Sequence, residues 1–505
     1  MNYTFVPSPE HKTLVEAAIK LWNEDDVRSL VSRFYFPLIL SKRMSEWQKI
    51  ENKVVEKVSK LPLAKPLKEK LLCFIRPVGL QILTWVDFHD NRFSFVTMLP
   101  DEFFWTPQGT IDKKKTAEAL IKDESLDITK RYKLACIYCL KSDVDGLWNN
   151  IPEDQKKSFY SEKDPGDVRQ QGLVILWTYD IKKEVTKLDN MIAKRWRKCT
   201  PYQYAFEYAA LGGNKAATEH FLQKLTPKER EESLVRTAGY VAKKRYGSVS
   251  NRTDFPKEHY TDVLCFLLSQ MNEEQQAKVF RSYPYEVLKC FLDWPWQSFF
   301  MEMAKRMWTF LPEESYDCLL RVITSKAKVV DGYKDYNYQK LFGEFWQQSP
   351  ISYKRYVINE CTDGSLLSNL FEVEDRENIT LIVKDATLTE KEELIFSDIG
   401  EDICTRLIFR GNWNLVRFFV GECISSKEKI IELREEFKER NSRYYSKEEF
   451  AEKEDTWNKF FQLLDDLIQK DDKKRSMEEE NSSPAKRLHS LTSEQLSTSK
   501  EIFKG

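Results

Sequence analysis

Glycine is scarce in this chain: 16 residues in 505, alongside 18 prolines. Ordinary chains carry about 12% of the two together. The tight turns that close β-hairpins, sandwiches and propellers draw heavily on glycine. The expected fold is therefore all-α, with long helices and short connections. Glycine spacing narrows the chemistry as well. No two glycines lie two or five positions apart, so the chain has no G-x-G-x-x-G fingerprint and no P-loop, and no G-x-S-x-G elbow occurs.

Charge and apolar patterning set further bounds. With 79 basic and 80 acidic residues the formal net charge is −1, which makes neither nucleic acid nor an anionic membrane an obvious partner. No basic segment followed by an apolar stretch opens the sequence, so no leader is expected. The most apolar short run, 34–40, is broken by Pro37 and falls far short of the ~18 residues a spanning helix needs. The expected location is cytoplasmic, without membrane association. Ten cysteines are scattered singly apart from Cys136-Ile-Tyr-Cys139. That pair has no second pair to complete a zinc site and no βαβ context for redox work. At i and i+3 on one helix face, both read as buried apolar residues. The five histidines, 11, 89, 220, 259 and 489, exclude H-E-x-x-H, and His220 reads as a surface or groove residue. No catalytic residue, metal or cofactor is expected, and the chain reads as non-enzymatic.

Helical periodicity runs from Leu14 to Lys60 and resumes at Leu67, with Pro77 expected to end that segment. Residues 1–130 form an expected N-terminal helical domain. Residues 131–470 form an expected helical-repeat array, and 471–505, rich in Ser, Lys and Glu, an expected disordered tail. Within the array, six apolar residues precede helix-start signals: Ile151, Leu225, Met271, Leu311, Leu388 and Ile424. Four are followed by Ser/Thr/Asn-x-x-Glu/Gln capping boxes, and Pro152 and Pro312 open the other two. The span from 151 to 424 divides into seven steps of 39 residues, the size of a two-helix repeat.

Two segments carry a family resemblance. Thr200-Pro-Tyr-Gln-Tyr-Ala205 leads through Gly212-Gly213-Asn214 to Phe221-Leu222, and Arg406-Leu-Ile-Phe-Arg-Gly-Asn412 leads to Phe418-Phe419. Each resembles the helix-turn-helix half of an ankyrin repeat, with a Gly-Asn turn before an apolar second helix. No Gly-Ala-Asp finger follows either second helix, and a generic helical-hairpin array is the close alternative. The whole chain is also similar to an uncharacterised arthropod family of long helical proteins. The resemblance implies an ankyrin-like α-solenoid and carries no activity with it.

Lys194-Arg195-Trp196-Arg197-Lys198 is the densest basic-aromatic cluster. It reads most simply as an exposed helix end; guanidinium and indole together also suit a partner's acidic patch, or phosphate and base stacking. Lys243-Lys244-Arg245 is a second basic run, placed in a loop by Gly247, Ser248 and Pro256. Carboxylates cluster at helix starts, and Asp398 with Asp402 reads as a solvated face rather than an acid/base pair. Ile430, Leu433 and Phe437 line one helix, and Trp457, Phe461, Leu464 and Ile468 a second; together they read as a cap closing the array. In the tail, Lys473-Lys474-Arg475 and Lys486-Arg487 resemble a bipartite nuclear import signal, with Ser483-Pro484 as a proline-directed phosphosite between them. The leading expectation is a scaffold or adaptor that binds a protein partner on its helical-repeat surface. The alternative is a nuclear nucleic-acid-associated protein using 194–198 and 243–245.

Overall fold

A computed structural model describes residues 3, 6–34, 40–93, 100, 102–246, 258–327, 336–360, 365–444 and 453–469. The fold is all-α: among these residues the only β-type pairing is an isolated bridge between Trp105 and Ile111. The chain divides into two units, Met1–Leu319 with Val329–Leu341, and Leu320–Lys328 with Phe342–Gly505. None of the described helices is long and apolar enough to cross a membrane.

The first unit begins with helices Pro9–Trp22, Asp25–Ser32, Leu40–Lys60 and Lys65–Phe93. The last of these runs straight through Pro77, where the sequence suggested a stop. An interior proline costs about 3 kcal/mol. Leu71, Ile75, Val78, Ile82 and Trp85 nevertheless form an unbroken buried stripe across it, and burial of each such side chain is worth about 1.5–3 kcal/mol. The stripe outweighs the missing hydrogen bond. Trp22 ties the site down: its indole N–H donates to the Ile75 carbonyl at 2.8 Å, and its ring stacks on Trp47 at 5.5 Å.

One kind of turn recurs. At Cys139, Lys183, Gly213, Glu374 and Gly411 the backbone is left-handed, with φ between 53° and 69°. Each of these residues donates its N–H three residues back, and the residue after it donates five residues back. For Gly213 and Asn214 the acceptors are Ala210 and Ala209, at 2.9 and 3.0 Å; for Gly411 and Asn412 they are Ile408 and Leu407, at 3.0 and 2.9 Å. This is the Schellman closure of a helix C-terminus. The very next residue is the N-cap of a new helical segment in all five cases. Glycine meets the left-handed requirement at 213 and 411 without steric cost. Cys139, Lys183 and Glu374 meet it against a penalty of about 1–2 kcal/mol.

The asparagines of the two Gly-Asn turns work at both ends. Asn214 Oδ1 caps its own helix by accepting from the Ala217 N–H at 3.1 Å, and its Nδ2 donates to the Ile137 carbonyl beside the Cys139 turn at 2.7 Å. Asn412 Oδ1 likewise accepts from Leu415, and its Nδ2 donates to the Glu374 carboxylate in the preceding turn at 2.7 Å. A single amide thus caps one helix and fastens its turn to an earlier one.

Capping boxes form at Thr226–Glu229 and Asn272–Gln275 as the sequence indicates. At Leu388 the box lies two residues earlier than expected, on Thr387 and Glu390. The cap near Ile424 is Ser426 rather than Ser425, accepting from Lys429. In the second unit, Lys427–Tyr444 packs on the helix over 453–469 through Phe437, which meets Trp457 at 6.0 Å and Phe460 at 5.0 Å. The buried stripe of that last helix is Trp457, Phe460, Leu463 and Leu464. Phe461 and Ile468 lie partly exposed, so the buried face of this helix is rotated from the one its residue spacing suggests.

The Asn214→Asp substitution separates the two jobs of this side chain, because aspartate caps helices as well as asparagine does but cannot donate to Ile137. Chemical denaturation should show a loss of about 1–3 kcal/mol, with Asn214→Ala losing about 1 kcal/mol more for the cap. An aspartate variant as stable as the parent would mean that the bridge contributes nothing net.

Candidate functional site

The basic-aromatic cluster sits where helix Asp189–Arg195 ends and the chain turns into helix Pro201–Leu211. Thr200 caps the second helix in a full capping box with Gln203. Its second turn carries Glu207, whose side chain is only 3% exposed. A lone carboxylate at such depth needs partners, and it has three. Trp196 Nε1 donates at 3.1 Å, Arg197 grips both oxygens, and Arg236 donates from helix Pro227–Tyr246 at 2.7 Å. Burial pushes the Glu207 pKa up, but hydrogen bonds from Arg197, Arg236 and Trp196 outweigh it and hold the carboxyl below its ordinary value. Arg197 is raised in turn by its bond to Glu207.

The cluster is thereby split. Arg197 and the indole N–H of Trp196 belong to an internal anchor. Trp196 stays 40% exposed, its ring edge-on to Tyr204 at 5.9 Å, with Tyr204 against Tyr208 at 5.6 Å. Lys194 and Lys198 are exposed and form no ion pair among the described residues. The outer surface is an aromatic plate held rigid from below and flanked by two uncommitted ammonium groups. Sequence reasoning passed over Glu207, although a glutamate inside Tyr204-Ala-Phe-Glu207-Tyr-Ala-Ala210 was the available signal.

The second basic run is not a loop through Arg245. Lys243, Lys244 and Arg245 occupy the last turn of helix Pro227–Tyr246. Arg245 is buried, with a two-pronged pair to buried Asp293 that includes Nη2–Oδ1 at 2.8 Å. Lys243 lies over the Tyr283 ring at 4.9 Å, so only part of this run faces solvent. The import-signal residues 473–475, 486 and 487 and the phosphosite Ser483 lie outside the described residues.

The remaining candidates have ordinary surroundings. Cys136 and Cys139 are buried free thiols, and burial pushes Cys139 up to about 12. His220 packs on Trp177 at 5.3 Å; burial, then Lys224 and Lys141, lower it to about 4. Asp402 pairs with Arg406, and Asp398 lies 3.5 Å from Arg440, so the two acids do not act as a pair. Among the described residues no group of three His, Cys, Asp or Glu could hold a metal ion. Neither a protein-family model nor a curated protein matches the chain.

Because the folded pKa of Glu207 lies below its ordinary value of 4.5, its stabilising contribution is complete above that pH. It is lost as pH falls through the folded value. Glu207→Gln should cost about 2 kcal/mol at neutral pH, a buried-pair loss discounted because both arginines are about a third exposed. It should also flatten the acid limb of a stability–pH profile, read by thermal melts between pH 3 and 7.

Proposed function

We propose that this protein is a non-enzymatic scaffold built as an ankyrin-like helical-repeat array, and that it docks an acidic segment of a protein partner on the plate at Trp196. The observation that carries the docking surface is the exposed indole, locked by its own N–H to Glu207. Its orientation is fixed before any partner arrives, so little side-chain entropy is lost on binding. Tryptophan in such settings is a common binding hot spot, and Lys194 and Lys198 supply the charge to steer an acidic sequence.

The repeated turns support the array. Those at residues 139, 213, 374 and 411 are 74, 161 and 37 residues apart, close to two, four and one steps of the 39-residue interval; the turn at Lys183 lies 44 residues after Cys139, close to one step. Stacked hairpins of this kind give extended surfaces without dedicated catalytic loops. The nucleic-acid alternative has less to draw on, because Arg197 and Arg245 spend their guanidinium groups on Glu207 and Asp293.

Fluorescence anisotropy against a labelled glutamate-rich peptide carrying one aromatic residue tests the reading, with a single-stranded oligonucleotide of equal charge alongside. The peptide should bind more tightly, and Trp196→Ala should weaken it at least tenfold, a hot-spot effect of about 1.4 kcal/mol or more. Tighter oligonucleotide binding that also depends on Trp196 would favour the nucleic-acid reading. Binding indifferent to Trp196 would remove the plate as a docking surface.

A further inference from the structure

The second unit contains a cavity of about 60 Å³ enclosed by five helices. Val357, Leu366, Val383, Leu394 and Ile399 give it an apolar lining, one residue from each of Ile351–Glu360, Ser365–Glu372, Arg376–Asp385, Leu388–Phe396 and Asp398–Phe409. An apolar cavity of about 150 Å³ takes a benzene ring, so this smaller space suits an aliphatic chain of about three carbons and excludes a ring or a longer acyl tail.

Two charged side chains also line the cavity, Glu390 and Lys391. They differ in what already holds them. Glu390 closes the capping box of its helix: its Oε2 accepts from the Thr387 N–H and hydroxyl at 2.6 and 2.8 Å, and from Arg355 at 2.7 Å. Its charge is balanced in place. Lys391 is half-buried and forms no ion pair among the described residues. A partly desolvated ammonium at the edge of an apolar cavity lacks what a carboxylate supplies. A dianion such as phosphate would require several converging donors, and one ammonium matches one monoanion.

We propose that this cavity is a binding site for a small amphiphilic carboxylate, a short-chain aliphatic acid of about four carbons. Its hydrocarbon part occupies the apolar lining and its carboxylate pairs with Lys391. The site lies apart from the Trp196 plate and does not depend on that surface having a partner.

Ligand-observed NMR on the full chain with butyrate, butanol and butylamine tests this directly. Butyrate should bind best, butanol about tenfold more weakly, and butylamine more weakly still. Lys391→Gln should bring butyrate down to the level of butanol and leave butanol unchanged. Ala386 lines the same cavity, and Ala386→Leu should abolish binding of all three by occupying the space; far-UV circular dichroism and the melting temperature verify that each variant folds. The proposal is overturned if butyrate fails to bind, if butanol or butylamine matches it, or if the advantage of butyrate survives Lys391→Gln or its binding survives Ala386→Leu.

Discussion

The left-handed residue that ends one helix and starts the next is the constraint on which the rest of this structure depends. A helix C-terminus leaves carbonyls without partners, and the Schellman closure satisfies two of them while reversing the chain in a single residue. Helical hairpins can then be short, which lets a glycine-poor chain pack one helix against the next. Only two of the five closures, Gly213 and Gly411, use the residue that adopts this conformation freely. The others hold Cys139, Lys183 and Glu374 there, so the two backbone bonds and the packing of the following helix must exceed a penalty of about 1–2 kcal/mol at each. Where asparagine follows glycine, its amide adds a cross-link to an earlier turn, and local chain reversal becomes long-range order.

Charge serves the interior in the same way. Glu207 with Arg197 and Arg236, and Arg245 with Asp293, place ion pairs where water is largely excluded. Such pairs add little net stability relative to apolar residues of equal size, but removal of one partner is costly. Their effect is to fix geometry. Glu207 fixes the angle at which helix Asp189–Arg195 meets Pro201–Leu211, and with it the outward presentation of Trp196. The residues that look most like a free basic patch in the sequence are therefore divided between anchor and surface.

Much of the architecture was legible in advance. Glycine scarcity and 3–4 residue periodicity pointed to an all-helical chain, and Gly-Asn pairs marked two hairpins to the residue. Local signals failed where a distant partner decided the outcome. Pro77 would end an isolated helix, yet a buried stripe carries the helix through it. Gly247, Ser248 and Pro256 suggested a loop for 243–245, yet Asp293, 48 residues from Arg245, draws that arginine inward at the end of a helix. The caps near 388 and 424 were displaced by one or two residues because adjacent serines and threonines offer equivalent oxygens, and packing selects among them. Three of the five turns were invisible because cysteine, lysine and glutamate carry no left-handed signature.

By itself the sequence determined the all-α fold class, several helix starts and the absence of glycine-rich phosphate-binding motifs, since these follow from backbone propensity, short-range hydrogen bonding and glycine spacing. The tertiary structure alone decided which charges are internal. Whether a guanidinium faces water depends on a carboxylate elsewhere in the chain, and no local spacing encodes that distance. It also decided that Lys391 stands beside an apolar cavity while its neighbour Glu390 is balanced by Arg355, because the five helices that enclose the space meet only on folding. Glycine scarcity thus set the kind of structure, and long-range pairing set which of its residues remain available to other molecules.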